Sequence, residues 1–240
     1  MSPVVTEAAA LPTGEHYARN LIGGQWRFPA APYEFEIRNP VDSTVTTVVP
    51  LSSRFDVARA VRAAGTVAGA WAAEPAERIR LLGLLVAELD RLAGPLAALQ
   101  SVESGLALAD SRVAVAAVVR ATWELLNHTR RVGRPVPGVS GHVLSWGLPL
   151  AEAVCAIVPA LRAGYPVVVK PSLRAPLSAV ALGLLATRLG FPDGVVNVVQ
   201  GTGLDAGAAL LDTPGLAALQ VRAGARTLAQ AARSRSPRYV

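Results

Sequence analysis

The sequence predicts an α/β fold in which N-terminal helices and short strands lead into a parallel sheet. Three observations carry that prediction. After Gly133, short valine-rich runs alternate with apolar segments of helical length, the pattern of strand–helix–strand units. Those runs are apolar throughout, as strands are when helices cover both faces. Before Gly133, a Gly-Gly hairpin signal precedes a long stretch whose apolar residues recur at helical spacing. Strands joined by helices of this length take right-handed crossovers, and the sheet they build is parallel.

Residues 1–18 show neither period and are expected to form a disordered leader. Asn20 to Phe28, with Gly23-Gly24 between short apolar runs, reads as a β-hairpin. Phe35 to Arg38 and Thr44 to Val49 read as short strands around the turn Asn39-Pro40-Val41-Asp42. From Ser53 the period changes: Val57, Val61, Ala64 and Ala68 mark a helix that reaches Trp71, with Asp56 near its start. A second helix runs from Glu77 to Leu92, with Ile79, Leu82, Leu85, Val86 and Leu89 as its apolar stripe. Gly94-Pro95 breaks it and starts another that reaches Ser104-Gly105. A long helix then spans Ala109 to Thr129, with Trp123 and Leu126 assigned to the core. The later strands are His142 to Trp146, Pro166 to Lys170, Val195 to Val199 and Ala217 to Val221. The helices between and after them are Leu150 to Leu161, Ser178 to Leu189, Asp205 to Leu211 and Ala225 to Arg233.

The 240 residues are 52% hydrophobic, enough for one large or two small domains. The longest apolar stretch, Leu148 to Val169, is broken by Glu152, Pro159, Arg162, Gly164 and Pro166, so nothing reads as a membrane span. Met1 to Gly14 has no basic region and carries Glu7, unlike a signal peptide. A single cysteine permits no internal disulfide and fits a reducing cytoplasm, the expected location. The net charge of +6 belongs to the C-terminus, where no acid follows Asp212 but Arg222, Arg226, Arg233, Arg235 and Arg238 do. With one aromatic, Tyr239, and no binding motif, residues 225–240 read as a solvated basic tail rather than a nucleic-acid arm. Neither nucleic acid nor a membrane is an expected partner.

Lys170 is the only lysine among 23 basic side chains. It ends the run Val167-Val168-Val169 and precedes Pro171-Ser172, at the carboxyl edge where open α/β sheets bind ligands. An ammonium there is a point charge suited to a hydroxyl or phosphate, and a solvated strand-end cation fits the position equally. Gly201-Thr202-Gly203-Leu204-Asp205-Ala206 matches G-x-G-x-x-G/A between a strand and a helix. It is either a phosphate-cradling loop or a glycine-rich turn closing a βα unit. The acid expected about 20 residues further on is replaced by Val221-Arg222, which suits a 2′-phosphate. Cys155 lies in an apolar helix and reads as core packing. His16, His128 and His142 show no metal spacing and no nucleophile–base arrangement, and no metal site is expected. Glu103 and Asp110 read as surface or cap residues.

An ordered series of motifs resembles the aldehyde dehydrogenase family. It starts with Leu21-Ile22-Gly23-Gly24-Gln25-Trp26 and Ile37-Arg38-Asn39-Pro40, then Ala76-Glu77-Arg78 and Glu103-Ser104-Gly105. It continues with Trp146-Gly147-Leu148-Pro149-Leu150, Pro159-Ala160-Leu161-Arg162-Ala163-Gly164 and Val169-Lys170-Pro171-Ser172. It ends with Gly190-Phe191-Pro192-Asp193-Gly194 through Gln200-Gly201. The resemblance covers Asn20 to Val221 and corresponds to the first half of a family member. It implies a truncated form of that fold, with residues 19–132 as the hairpin and helical part of the coenzyme domain and 133–224 as its Rossmann-like βαβ segment. It also implies that Lys170, Ser172, Gly201 and Gly203 face a nicotinamide dinucleotide, with the Gly201 turn on the adenine side rather than around the pyrophosphate.

The sequence departs from the family where the chemistry is done. The resemblance implies a nucleophilic cysteine and a water-activating glutamate beyond the matched segment, and Cys155 does not align with the former. The asparagine that donates to the oxyanion is Gly147 here, and losing one such donor costs roughly 10²–10³ in rate. The acid that holds a ribose hydroxyl after Lys-Pro-Ser is Leu173. The Phe-Thr-Gly-Ser turn is Val221-Arg222-Ala223-Gly224. Between His128 and Pro137 the chain is too short for the family's oligomerising hairpin. No residue of this chain is therefore expected to be catalytic, and NAD or NADP is expected to bind weakly or not at all. The expectation is a non-catalytic accessory subunit, alternatively one half of a split enzyme. The partner would be a full-length aldehyde dehydrogenase, a second half-chain or another copy, docked where uncovered apolar surface and an unpaired edge strand remain.

Overall fold

Residues 14–127 and 137–222 are described in the computed structural model. The sequence expectations for residues 1–13, 128–136 and 223–240, including the final helix, lie outside them. Helix α1 (Gly14–Tyr17) occupies what the sequence assigns to the leader, because Tyr17 finds a place in the core. Strands β1 (Asn20–Ile22) and β2 (Gln25–Arg27) pair antiparallel across Gly23-Gly24. Gly24 has φ of 75°, and any Cβ there would collide with the Asp193 carboxylate, so the turn requires glycine. Strands β3 (Glu34–Arg38) and β4 (Val45–Pro50) form a separate two-stranded sheet with a register shift at Ile37/Arg38.

Four helices follow: α2 (Arg54–Ala73), α3 (Pro75–Arg91), α4 (Ala93–Ser104) and α5 (Leu108–Asn127). Ser53 and Asp56 form a capping box at the start of α2, and the Asp56 carboxylate also accepts from the Ala30 amide at 3.0 Å. The last carbonyls of α2, on Trp71 and Ala72, accept from the Arg78 guanidinium at 2.7 and 2.8 Å. The break between α3 and α4 falls at Leu92, ahead of the expected Gly94-Pro95. Pro95 sits in the first turn of α4, where its missing N–H costs nothing. Trp123 is not in the core: it lies on the exposed side of α5, while Leu126 packs partly against the core. An amphipathic stripe fixes which face is buried but not how far around the helix burial reaches.

The main sheet has the order β2-β1-β7-β6-β5-β8. Within it β5 (Val139–Val143), β6 (Val167–Lys170), β7 (Val196–Val198) and β8 (Leu216–Val221) are mutually parallel. The N-terminal hairpin adds an antiparallel edge through Leu21 and Val198. The expected strand His142 to Trp146 begins earlier, at Val139, because pairing with β6 and β8 sets its register. The strand packs tightly at Gly141, where a Cβ would meet the ends of the Leu216 and Leu219 side chains at 2.9 and 3.1 Å. Helices α6 (Pro149–Arg162) and α7 (Leu177–Arg188) cover one face with α3 and α4 behind them. Helix α2, a π-helical turn (Gly203–Gly207) and α8 (Ala208–Asp212) cover the other. Alternation within the strands feeds both sides, Val167 and Val169 to the first and Val168 to the second.

Helix α4 fastens both helices of the first face. Gln100 Oε1 accepts from the Leu150 amide in the first turn of α6 at 3.2 Å. The Glu103 carboxylate accepts from the Leu177 and Ser178 amides at 2.7 and 3.0 Å, and from the Ser178 hydroxyl, at the start of α7. Gln100 and Glu103 are three residues apart and share a face of α4. Neither α6 nor α7 has a capping side chain of its own. Glu103 is thus a cap, but a fully buried one rather than a surface residue. Burial pushes its carboxyl up to about 7 against the pull of its three donors.

A second buried network holds the exit of β7. Gln200 donates through its side-chain amide to the Tyr17 and Arg19 carbonyls, both at 2.8 Å. Its backbone N–H donates to Asn20 Oδ1 at 2.8 Å, Asn20 Nδ2 donates to Ser52 Oγ at 2.7 Å, and the Ser52 amide donates back to the Gln200 carbonyl at 3.1 Å.

Replacing Glu103 with alanine leaves two amides and a hydroxyl buried without an acceptor. In urea titrations Glu103→Ala is expected to lower the unfolding free energy by about 3 kcal/mol. Glu103→Gln, which keeps one acceptor oxygen, is expected to lose about half of that.

Candidate functional site

The carboxyl ends of β5, β6 and β7 lie side by side, because Leu144 N–H donates to the Lys170 carbonyl at 3.0 Å and Val199 N–H to the Val169 carbonyl at 2.9 Å. Three loops leave this edge: Leu144–Leu148 into α6, Pro171–Pro176 into α7, and Val199–Thr202 into the π-helical turn. Arg222, just after β8, joins them through its amide, which donates to the Val143 carbonyl at 2.7 Å. Its guanidinium approaches Glu152 of α6 at 3.8 Å.

Lys170 reaches across the edge to the Gly201 turn. Its ammonium donates to the Gly201 carbonyl at 3.3 Å, and its stem passes the Gly207 backbone, where a Cβ would sit 3.5 Å from Lys170 Cδ. The residue is 3% exposed, not a solvated strand-end cation, and burial lowers its ammonium to about 8. Gly201 has φ of 149°, with Ser52 and Ala206 so close that a side chain would clash. Gly203 opens the π-helical turn, which Thr202 caps by accepting from the Asp205 amide at 2.9 Å. Ser172 is half-buried, and its hydroxyl accepts from the Arg174 amide at 3.3 Å. Lys170, Gly201 and Gly203 therefore meet around one turn, while Ser172 stands on the neighbouring loop.

The positions that depart from the family pattern are also placed. Gly147 is exposed, and a Cβ built on it meets nothing within 4 Å. Leu173 packs against the core. The guanidinium of Arg174 lies over the Trp146 ring at 5.7 Å, bridging the first two loops. Cys155 is not a core residue: it is exposed on α6. Helix α6 is apolar nearly all round, so its sequence does not reveal which residue faces out. The residues around Lys170 fit a dinucleotide in part: a donor and a close-approach glycine turn remain, and the carboxylate acceptor for a ribose hydroxyl does not. Among the described residues, no cluster of His, Cys, Asp and Glu can hold a metal ion, and no helix is long and apolar enough to cross a membrane.

Sequence reasoning missed one constellation. His142 Nε2 lies 2.9 Å from Ser140 Oγ, and His142 Nδ1 lies 3.1 Å from Gln220 Oε1 on β8. Because an amide oxygen only accepts, Nδ1 carries the proton and Nε2 accepts from Ser140. The i, i+2 spacing of Ser140 and His142 places both on one strand face, but nothing in the sequence pairs them with Gln220. Ser140 and His142 are both 3% exposed, so the set is a buried polar tie between β5 and the edge strand. Burial depresses His142 to about 4. The unfolded chain then binds the extra proton between pH 6.5 and 4, and this contribution to stability is lost as pH falls through that window, by about 3 kcal/mol in all. Glu103 works in the opposite sense, favouring the folded state as pH falls from about 7 to its ordinary value. The stability difference between wild type and His142→Gln, measured by urea titration from pH 7 to 4, is expected to shift against the wild type on the acid side.

The aldehyde dehydrogenase family profile matches residues 26–239. A probable aldehyde dehydrogenase of Mycobacterium tuberculosis is 33% identical over 228 residues, which is 88% of this chain and 45% of that protein. Aldehyde dehydrogenase 1A1 of Gallus gallus is 33% identical over 217 residues, 81% of this chain and 42% of that protein. Among solved structures, a mutant aldehyde dehydrogenase C from Pseudomonas syringae, crystallised with NAD⁺ and octanal, superposes with a TM-score of 0.86 at 29% identity. That match covers 95% of this chain and 51% of the other. PnpE from Pseudomonas sp. WBC-3 gives 0.85 at 29% identity, over 93% and 50%. The chain spans about half the length of the relatives it matches and corresponds to their N-terminal half. Motif order, sheet topology and these likenesses agree: the chain belongs to the aldehyde dehydrogenase family.

Proposed function

We propose that this chain is a non-catalytic member of its family, a coenzyme-domain unit that serves as a binding or accessory subunit. Gly147 carries the proposal. The oxyanion donor is missing from a position with open space around it, so no steric demand explains the glycine. Leu173 supports the same reading, because a core-packed leucine stands where a ribose acceptor is expected. Cys155, the only cysteine, lies on the outside of α6 and not among the three edge loops.

A split enzyme, completed by a second chain with the cysteine and glutamate, is the other reading. It is favoured by Trp146 and Leu148, which are 50% and 41% exposed on the loop beside the candidate site. Two large apolar side chains at a site mouth suit a covering protein surface. Native mass spectrometry of the tagged chain, purified gently from its own host, separates the readings. A complex with a second half-length chain carrying those two residues supports the split enzyme, and a complex with a complete dehydrogenase supports the accessory subunit.

Incubated with NAD⁺ or NADP⁺ and a panel of aldehydes, the chain alone is expected to form reduced cofactor no faster than a boiled control. Turnover well above that control overturns the non-catalytic reading. In calorimetry, binding of either dinucleotide is expected to be weak, with NADP⁺ tighter than NAD⁺ through Lys170 and Arg174. Lys170→Met is expected to erase that preference. Leu173→Glu, which returns an acceptor, is expected to tighten NAD⁺ by roughly tenfold.

A further inference from the structure

A groove of about 1070 Å³ lies between α2 and the π-helical turn with α8, on the outer side of the face away from α6 and α7. Its floor is made of small side chains, Ala58 from α2 with Ala208 and Ala209 from α8. Its rim carries Tyr33, Phe55 and Leu204, which are 66%, 70% and 59% exposed. The charges are sorted by wall: Arg54 and Arg62 stand on the α2 side, Asp205 and Asp212 on the other.

The walls are also in register. Helix α2 starts beside the Gly201 turn, where the Ser52 amide bonds the Gln200 carbonyl, and by Ala63 it has reached Gly194 at the opposite edge of the sheet. The segment from Gly203 to Asp212 likewise runs from the carboxyl edge of β7 back toward the start of β8. The two walls therefore run the same way. Arg54 and Asp205 both lie near the starts of their walls, and Arg62 and Asp212 lie about 10–12 Å further along at helical rise. Among the described residues, Arg54, Arg62 and Asp212 form no ion pair across the groove within the chain.

We propose that this groove is a self-association surface, occupied by a second copy of the chain about a two-fold axis that runs along it. A two-fold axis lying in an interface keeps each residue at its level along the axis and exchanges the two sides. The α2 wall of one copy then faces the α8 wall of the other. Arg62 meets Asp212 of the second copy and Arg54 meets Asp205, each twice by symmetry. Exposed Phe55 on the α2 side of one copy then faces exposed Leu204 on the opposite wall of the other. Parallel, level walls of opposite charge are self-complementary under this operation. A partner of a single charge sign would meet repulsion from one wall. The surface is small by the standard of permanent interfaces, so the dimer is expected to be reversible and salt-sensitive. The inference is independent of whether the chain binds a dinucleotide or assists an enzyme.

Sedimentation velocity over a range of concentrations tests it with three proteins. The wild type is expected to show a reversible monomer–dimer equilibrium. Arg62→Asp and Asp212→Arg each place like charges together at both symmetric contacts, and each is expected to weaken the dimer by at least about tenfold. Mixing the two variants one to one restores an opposite pair at both contacts, and a heterodimer of wild-type strength is expected. Both residues are at the surface, and unchanged circular dichroism melts show that folding is intact. A wild type that stays monomeric overturns the proposal, as does either variant that dimerises normally or a mixture that remains monomeric. If the monomeric chain instead binds anilinonaphthalene sulfonate in the groove without associating, the site belongs to a small anionic ligand and the proposal also falls.

Discussion

Helix α4 caps the two helices that cover the sheet, and the rest of the architecture depends on that contact. Gln100 and Glu103 face the first turns of α6 and α7, and those turns are where two of the edge loops end. A helix start leaves four amides without intrahelical partners. Here the acceptors come from an element about fifty to seventy-five residues earlier in the chain. The helical region and the βαβ region are thus joined by hydrogen bonds that neither can supply to itself. Glu103 bears the larger share, since a carboxylate that lost its donors in that interior would be a buried charge with nothing to offset it.

The Gln200 network does for the second face what α4 does for the first. Tyr17, Arg19, Asn20 and Ser52 all converge on one residue at the end of β7. The turn that follows, Gly201 to Gly203, is held by residues from the other end of the chain, and Lys170 completes the clamp from β6. Lys170, Gly201 and Gly203 meet around this turn, and Leu173 beside it packs against the core. Such a turn can persist while the side chains beside it change, because it is held by packing and backbone hydrogen bonds rather than by any single side chain.

Much of this was legible in the sequence. The alternation of valine runs with helical stretches pointed to the parallel sheet, and Gly23-Gly24 and Ser53 with Asp56 marked the hairpin turn and the start of α2. Failures followed from specific physical causes. Helix α6 is apolar nearly all round between Glu152 and Arg162, so Cys155 carried no signal of being exposed. The start of β5 is polar at Ser140 and His142, and its pairing was set by neighbours rather than by its own composition. The hairpin's union with the parallel strands rests on Leu21 meeting Val198, a contact between distant segments without a local pattern. The Arg and Asp walls were invisible for the same reason: each is ordinary on its own helix, and only the fold sets them opposite each other.

The seclusion of Lys170 has a chemical consequence for the whole chain. It is the only ε-amine present, and it is folded away behind the Gly201 carbonyl. Acylating reagents, amine-coupling surfaces and enzymes that conjugate or acetylate lysine therefore find no side-chain amine on the outside of the native protein. Slow acylation at that position becomes a clock for opening of the turn, read against no background from other lysines.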